Sequence, residues 1–333
     1  MNYIKMSPLA GLSGYGGGTS AHTFAGIGYG PGTGKWTGQY GYFFGGDGPG
    51  STGEVNWIRK CTIDTTGNAS DSGDLQNLAK RASGASSGDY CFNFGGLDDN
   101  VLRSNTISRW SGTGGNSSSF TTMEKGMAST AACCDGVRLV MGGGQESETG
   151  SPNTNWRINR IEYYNPADGS ETVVDFGDLS ANVSSHCATN SATRGVFMGG
   201  YTTTSINEIQ YITFQQESNS SDFGDLTTTR TTPRAAGSET RGVLAGGTGD
   251  TDGIEYITFD TTGNATSFGV FSNSRSVYGG GASSDLSRMV YGGGWTGGHG
   301  SWIDYFTIAS AGDGTDFGDL PDGQSNIGGC SGG

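Results

Sequence analysis

Asp175, Phe176 and Gly177 open the stretch DFGDL at 175–179. An Asp-Phe-Gly triplet holds magnesium through its aspartate in phosphoryl-transfer enzymes, so Asp175 is a first candidate for chemistry. Glu146 and Glu148 stand two residues apart, and a pair of carboxyl groups is what acid/base cleavage of a glycosidic bond requires. Imidazole is scarce: the histidines are His22, His186 and His299. Two further groups suit binding. Trp156 precedes Arg157, and WTGGHGSW at 295–302 sets Trp295 near His299. Flat aromatic rings beside charged or polar donors dominate binding hot spots; ordinary anchoring of loops is the competing reading.

Spacing removes most of the catalytic and metal readings. DFGDL recurs at 222–226 and 316–320, and oxygens that sit once per repeat do not converge on an ion. Asp175 and Asp178 are therefore expected to bond local backbone N–H groups, as aspartates do at turns. The histidines show no H-x-x-H spacing, and no G-x-S-x-G elbow or G-x-x-x-x-G-K-[ST] loop is present. GDTDG (249–253) and NPADGSE (165–171) look faintly calcium-like, but neither continues into a full loop ending in glutamate. Cys61, Cys91, Cys133, Cys134, Cys187 and Cys330 form no C-x-x-C pair and read mostly as free thiols. Five N-x-[ST] sequences, at Asn68, Asn116, Asn182, Asn219 and Asn264, read as chance in so Ser/Thr-rich a chain. No metal or cofactor is expected.

Composition narrows the partners. The formal net charge of −14 over 333 residues repels nucleic-acid phosphates. No apolar window approaches the ~18 residues of a membrane span, and the first residues lack the pattern of a signal peptide. Aromatics at 11% and charged residues at 15% are wrong for a disordered linker, and the 63 glycines follow no three-residue period.

The elements that must position these residues follow from a repeat. The DFGDL copies start 47 and then 94 residues apart, and degenerate copies, DSGDL at 71–75, SFTTM at 119–123 and SFGVF at 267–271, fill other slots. A glycine doublet ends an apolar run six times, its first glycines being Gly45, Gly95, Gly142, Gly199, Gly246 and Gly292. After each doublet comes a loop of variable length, from six residues at 248–253 to sixteen at 145–160. A strand such as EIQYITF (208–214), a turn such as DTTGNAT (260–266) and the DFGDL strand follow. A fourth strand of small residues, as in STAACC (129–134), SHCAT (185–189) and GGGASS (279–284), precedes each doublet and suits a crowded axis. LQNLAKRA (75–82) reads as a connector, with Arg81 aligned to Arg230.

Four short strands per unit and six units predict an all-β protein, a six-bladed β-propeller. The terminal NIGGCSGG supplies the inner strand of the blade that residues up to 44 complete; a seventh blade seeded by YGGG at 15–18 is the alternative. Residues 1–29 are assigned to an anchoring or ring-closing segment and 30–333 to the propeller. Phe176, Phe223, Phe268 and Phe317 are expected to pack between blades.

An apolar strand ending in Gly-Gly, a variable loop, a Tyr-bearing strand, a turn, and an aromatic strand followed by Arg resembles the kelch repeat. Phe stands where that family usually has Trp. The wording TGNAT…DFGDL…R is similar to kelch-like repeats in virion proteins of marine and cyanobacterial phages. The resemblance implies a non-enzymatic virion structural protein, a tail fibre, head fibre or decoration component. Its partners would be other virion proteins and a host-surface glycan or protein. Propellers host unrelated activities, so a cellular glycan- or protein-binding module and a polysaccharide-cleaving enzyme using Glu146 and Glu148 stand as alternatives. Loops displayed by a rigid scaffold carry function, which makes Glu146, Trp156, Arg157, Trp295 and His299 the candidate binding residues.

Overall fold

The structure, a computed structural model, describes residues 38–50, 53–87, 90–98, 102–147, 156–166, 172–248, 253–273 and 277–332. Six antiparallel sheets, each with four blade strands, make six blades, in inner-to-outer order. Blade 1 takes Gly328–Gly332, Tyr40–Phe44, Trp57–Thr62 and Ser70–Asp74; blade 2 takes Ser83–Ser87, Tyr90–Phe94, Thr106–Ser111 and Ser118–Thr122. Blade 3 takes Ala131–Cys134, Leu139–Ser147, Trp156–Tyr164 and Val174–Asp178, with Gly126–Ala128 as an added short strand. Blade 4 takes Cys187–Asn190, Arg194–Met198, Ile206–Thr213 and Gln216–Arg230. Blade 5 takes Arg234–Gly237, Arg241–Ala245, Gly253–Thr258 and Thr266–Val270; blade 6 takes Gly281–Ser284, Arg288–Gly292, Gly300–Thr307 and Thr315–Gln324. The ring closes as expected, the last strand pairing with the first described one (Cys330 opposite Tyr42). Residues 75–82 form a connector without helix. The 1–29 segment, and residues 30–37 of the propeller assignment, lie outside the described residues.

Each inner strand neighbours the inner strand of the next blade, all the way round. At one end of the axis the backbone links them in a circle. Arg81 N–H donates to Asn326 O, Ser129 to Arg81, Ser185 to Ser129, Thr232 to Ser185, Gly279 to Thr232 and Ile327 to Gly279, at 2.7–3.4 Å. At the other end side chains do the same work. Ser331 Oγ donates to Ser284 O (2.7 Å), Ser284 Oγ to Gly237 O (2.7 Å) and Asn190 Nδ2 to Cys134 O (2.8 Å). Small side chains leave room for these lacings near the axis.

The glycine doublets stitch each blade to its connectors. Gly46 N–H reaches Ala79 O at 2.9 Å, and Asp47 N–H reaches Ser325 O at 2.8 Å. A Cβ on Gly45 would stand 2.2 Å from Ala79 O, and φ there is +62°, so only glycine fits. Two of the predicted first glycines need correction. In blades 3 and 6 the left-handed pair is Gly143–Gly144 and Gly293–Gly294. Gly142 and Gly292 stand one residue before that pair, where a Cβ would press to 2.9 Å against Phe197 and Phe43 of the following blade.

The DFGDL phenylalanines pack between blades, as the repeat implied. Phe176 is buried with Phe197, Ile212 and Phe214 of blade 4, and Phe223 with Leu244, Ile257 and Phe259 of blade 5. Phe268 joins Met289, Phe306 and Ile308 of blade 6, and Phe317 joins Phe43, Cys61 and Ile63 of blade 1. A Tyr from the third strand meets each ring edge-on, Tyr163–Phe176 at 5.9 Å being one case. Arg138 then lies 4.5 Å over Tyr163 and donates to Phe214 O of blade 4 at 2.6 Å. Arg194, Arg241 and Arg288 repeat the arrangement over Tyr211, Tyr256 and Tyr305. In blades 1 and 2 the partners trade strands, as Tyr40 with Lys60 and Tyr90 with Arg109. The cross-strand cation–ring pair therefore occurs in every blade, each worth about 0.5–2 kcal/mol.

The aspartates of DFGDL act differently from the expectation. The carboxylates of Asp175, Asp222 and Asp316 are exposed and take no hydrogen bond among the described residues. The backbone carries the contact instead. Gly263 N–H donates to Phe223 O (2.7 Å) and Ala265 N–H to Asp225 O (2.8 Å), while Asn264 Oδ1 accepts from Asp225 N–H at 3.0 Å. The turn of blade 5 thus clasps the outer strand of blade 4. A Cβ on Gly224 would lie 2.5 Å from Gly263 O, which explains the glycine inside the motif.

Candidate functional site

Antiparallel order puts the loops after the doublets, and the connectors between blades, on one face; the DTTGN-type turns occupy the other. All five predicted binding residues fall on the loop face, though in two separate places.

The first is on blade 3. The described residues of the region predicted as a sixteen-residue loop are paired strand: the second strand runs on to Ser147 and the third begins at Trp156. Glu146 stands in register with Trp156, and Gln145 with Arg157. Residues 148–155, and Glu148 with them, lie outside the described residues. Trp156 is 61% exposed. Arg157 turns the other way, its guanidinium 4.6 Å from the ring centre of Tyr201 on blade 4. Glu146 is buried. Lys125 Nζ holds one of its oxygens at 2.6 Å and Arg160 Nη1 the other at 3.3 Å. The bond to Glu146 raises the Lys125 pKa. Arg160 also donates to Glu162 at 2.5 Å; burial raises the Glu162 pKa, against the pull of that guanidinium. Both Glu146 oxygens being occupied by cations, this carboxylate is an anchor of the hairpin base.

The second place is on blade 6, across the ring. Trp295 N–H donates to Tyr278 O at 2.9 Å. Its ring meets that of His299 edge-on at 4.9 Å, and His299 Nδ1 lies 3.0 Å from Ser325 Oγ. Trp295 and Tyr201 hold the same repeat position, two residues after the left-handed glycine pair's first member, and both bridge to the connector before their own inner strand. Sequence reasoning found Trp295 and missed Tyr201, although the doublet spacing marked it. It also missed Lys125 and Arg160, whose role depends on a hairpin register that spacing does not reveal.

His186 lies on neither patch. It is buried beside Phe197, and burial takes its pKa down to about 4. Among the described residues no three His, Cys, Asp or Glu side chains gather as metal ligands, and no helix is long and apolar enough to cross a membrane. The GDTDG and NPADGSE stretches fall partly outside the described residues. No protein-family model and no curated protein matches the chain.

Proposed function

We propose that the chain is a non-enzymatic recognition ring whose binding surface is the loop face, centred on the blade 3 hairpin. The observation that carries this reading is Trp156: a large aromatic side chain, 61% exposed, held on a strand extended beyond its blade. Burying such a ring against a sugar face or a partner's apolar surface is a strong source of affinity. Arg157 is fixed by its stack on Tyr201, so the hairpin is pre-shaped, which lowers the ordering cost of binding. Glu146 is buried with both oxygens engaged by Lys125 and Arg160, so it does not face a ligand, and this weighs against the polysaccharide-cleaving alternative.

The likeness of the repeats to phage virion propellers supports a role as a fibre or decoration component, with a host-surface glycan or another virion protein as partner. The test is to present purified protein to host cells and to their isolated envelope glycans. Retention that is lost in Trp156→Ala supports the reading. Release of shortened glycan from the wild type would establish an enzyme instead.

A further inference from the structure

The axis of the ring holds a partly open cavity of about 40 Å³ towards the loop face, with Ser83, Thr130, His186, Cys187 and Arg234 on its wall. Arg234 opens the inner strand of blade 5. Its Nε and Nη2 donate to Ile327 O of blade 1 at 3.3 and 3.0 Å, and its Nη1 to Pro233 O at 3.1 Å. Three of five guanidinium N–H groups are thus engaged, all with neutral carbonyls. Among the described residues no carboxylate pairs with Arg234.

Two buried arginines do have carboxylate partners. Arg230, four residues earlier and fully buried, pairs with Glu255 at 2.5 Å. Arg59 pairs with Asp71 and Asp322. Arg234 is half-buried, and carbonyl dipoles replace only part of the hydration such a charge gives up, so a counter-charge beside it would be favourable. The titratable groups beside Arg234 do not supply the missing charge. Burial pushes both the Cys187 thiol and the Tyr291 phenol up to about 12, so both are neutral at ordinary pH. Burial also pulls the Arg234 pKa down. Thr130, on the same wall, has a buried Oγ1 that makes no hydrogen bond, and a hydroxyl is a natural donor to an anion.

We propose that this axial cavity binds a small monovalent inorganic anion of chloride size, with Arg234 as its charge partner and the Thr130 hydroxyl as a second donor. One water needs only about 10–15 Å³ of such space, so the cavity has room for a monatomic ion together with water. The ion sits where six inner strands converge, so its binding stabilises the closed ring rather than competing for the loop-face patch.

Two measurements on the whole protein test this. Wild type is melted in sodium chloride and in sodium gluconate at equal ionic strength, alongside Arg234→Met. Crystals grown in bromide are measured for anomalous scattering. We expect a higher, saturable Tm for the wild type in chloride, no difference between the salts for Arg234→Met, and a bromide peak within hydrogen-bond reach of Arg234. Equal wild-type Tm in the two salts, or no bromide peak in the cavity, overturns the proposal. The bromide measurement decides the matter if Arg234→Met fails to fold.

Discussion

Asn68 Oδ1 accepts a hydrogen bond of 3.0 Å from the backbone N–H of Asp319, 251 positions along the chain. Blade 1 thereby clasps blade 6 at the rim, while the terminal strands close the ring near the axis. The same clasp joins Asn116 to Asp74, Asn219 to Asp178 and Asn264 to Asp225. Asp313 serves in place of Asn between blades 5 and 6, accepting from Val270 N–H at 3.1 Å. The DFGDL stretch is thus the receiving half of an interblade clasp, its Phe filling the joint and its Gly admitting the neighbouring turn. Four of the five N-x-[ST] sequences place their Asn in this clasp.

Asn68→Ala should lower stability by about 1 kcal/mol in chemical denaturation, the value of one net hydrogen bond. Gly318→Ala should cost more, roughly 2–4 kcal/mol, through strain and overlap together. Its φ is +150°, and a Cβ would come within 2.5 Å of Gly67 O. Asp222→Ala should leave the Tm unchanged, with or without divalent ions. Chelator-sensitive melting abolished by that substitution would restore the metal reading of the motif.

Phe223→Ala should cost ~3–5 kcal/mol, since the ring is buried between blades 4 and 5 and the ring cannot collapse around the space. Arg230→Met should cost a comparable ~3–5 kcal/mol for another reason: it strands the buried Glu255 carboxylate without its cation. Replacing Glu255 by Gln in the same background should recover part of that loss. Equal stability of the single and double variants would show that the pair is not the cause.

What was legible in the sequence is what repeats. Blade count, strand order, ring closure and the packing of Phe176, Phe223, Phe268 and Phe317 all follow from spacing, because each copy must fit the same joint. The errors arose where one residue of register decides. Three glycines in a row hid which two turn left-handed at 142–144 and 292–294. Arg81 was aligned with Arg230, yet Arg81 is exposed at the axial mouth while Arg230 is buried on Glu255. Arg234 and Lys125 gave no signal at all, since their surroundings come from other blades.

Acid should weaken the fold through His186. Its folded pKa, about 4, lies below its ordinary value of 6.5 because burial disfavours the imidazolium. The unfolded chain therefore binds the extra proton first, and stability falls as pH drops from about 6.5 towards 4, by on the order of 2–3 kcal/mol. His186→Gln should flatten that part of the stability–pH curve. An unchanged slope in the variant would assign the acid sensitivity elsewhere.

All six cysteines are buried free thiols, and burial pushes Cys61 and Cys187 up to about 12. Thiolate is the reactive form, so a thiol reagent should label the folded protein slowly and all six positions promptly in denaturant. Fast labelling of the native protein would mean that the ring opens far more readily than its lacings imply.

The loop face and the turn face should differ in what they tolerate, and Trp156 and Trp295 separate binding from stability. Trp156 is largely exposed, and its strand is secured by register pairing and by the ion pairs of Glu146, so Trp156→Ala should leave the Tm nearly unchanged while weakening attachment at least tenfold. Loss of a central aromatic anchor commonly costs 2 kcal/mol or more of binding, about that factor or greater. Trp295 is different: its backbone is tied to Tyr278 and its ring is packed on His299. Trp295→Ala should therefore lower the Tm by a few degrees, and any binding loss must be judged against that change. Asn264→Ala, on the turn face, should lower stability without touching attachment. Normal attachment by Trp156→Ala together with lost attachment by a folded Asn264→Ala would move the recognition surface to the clasped side of the ring.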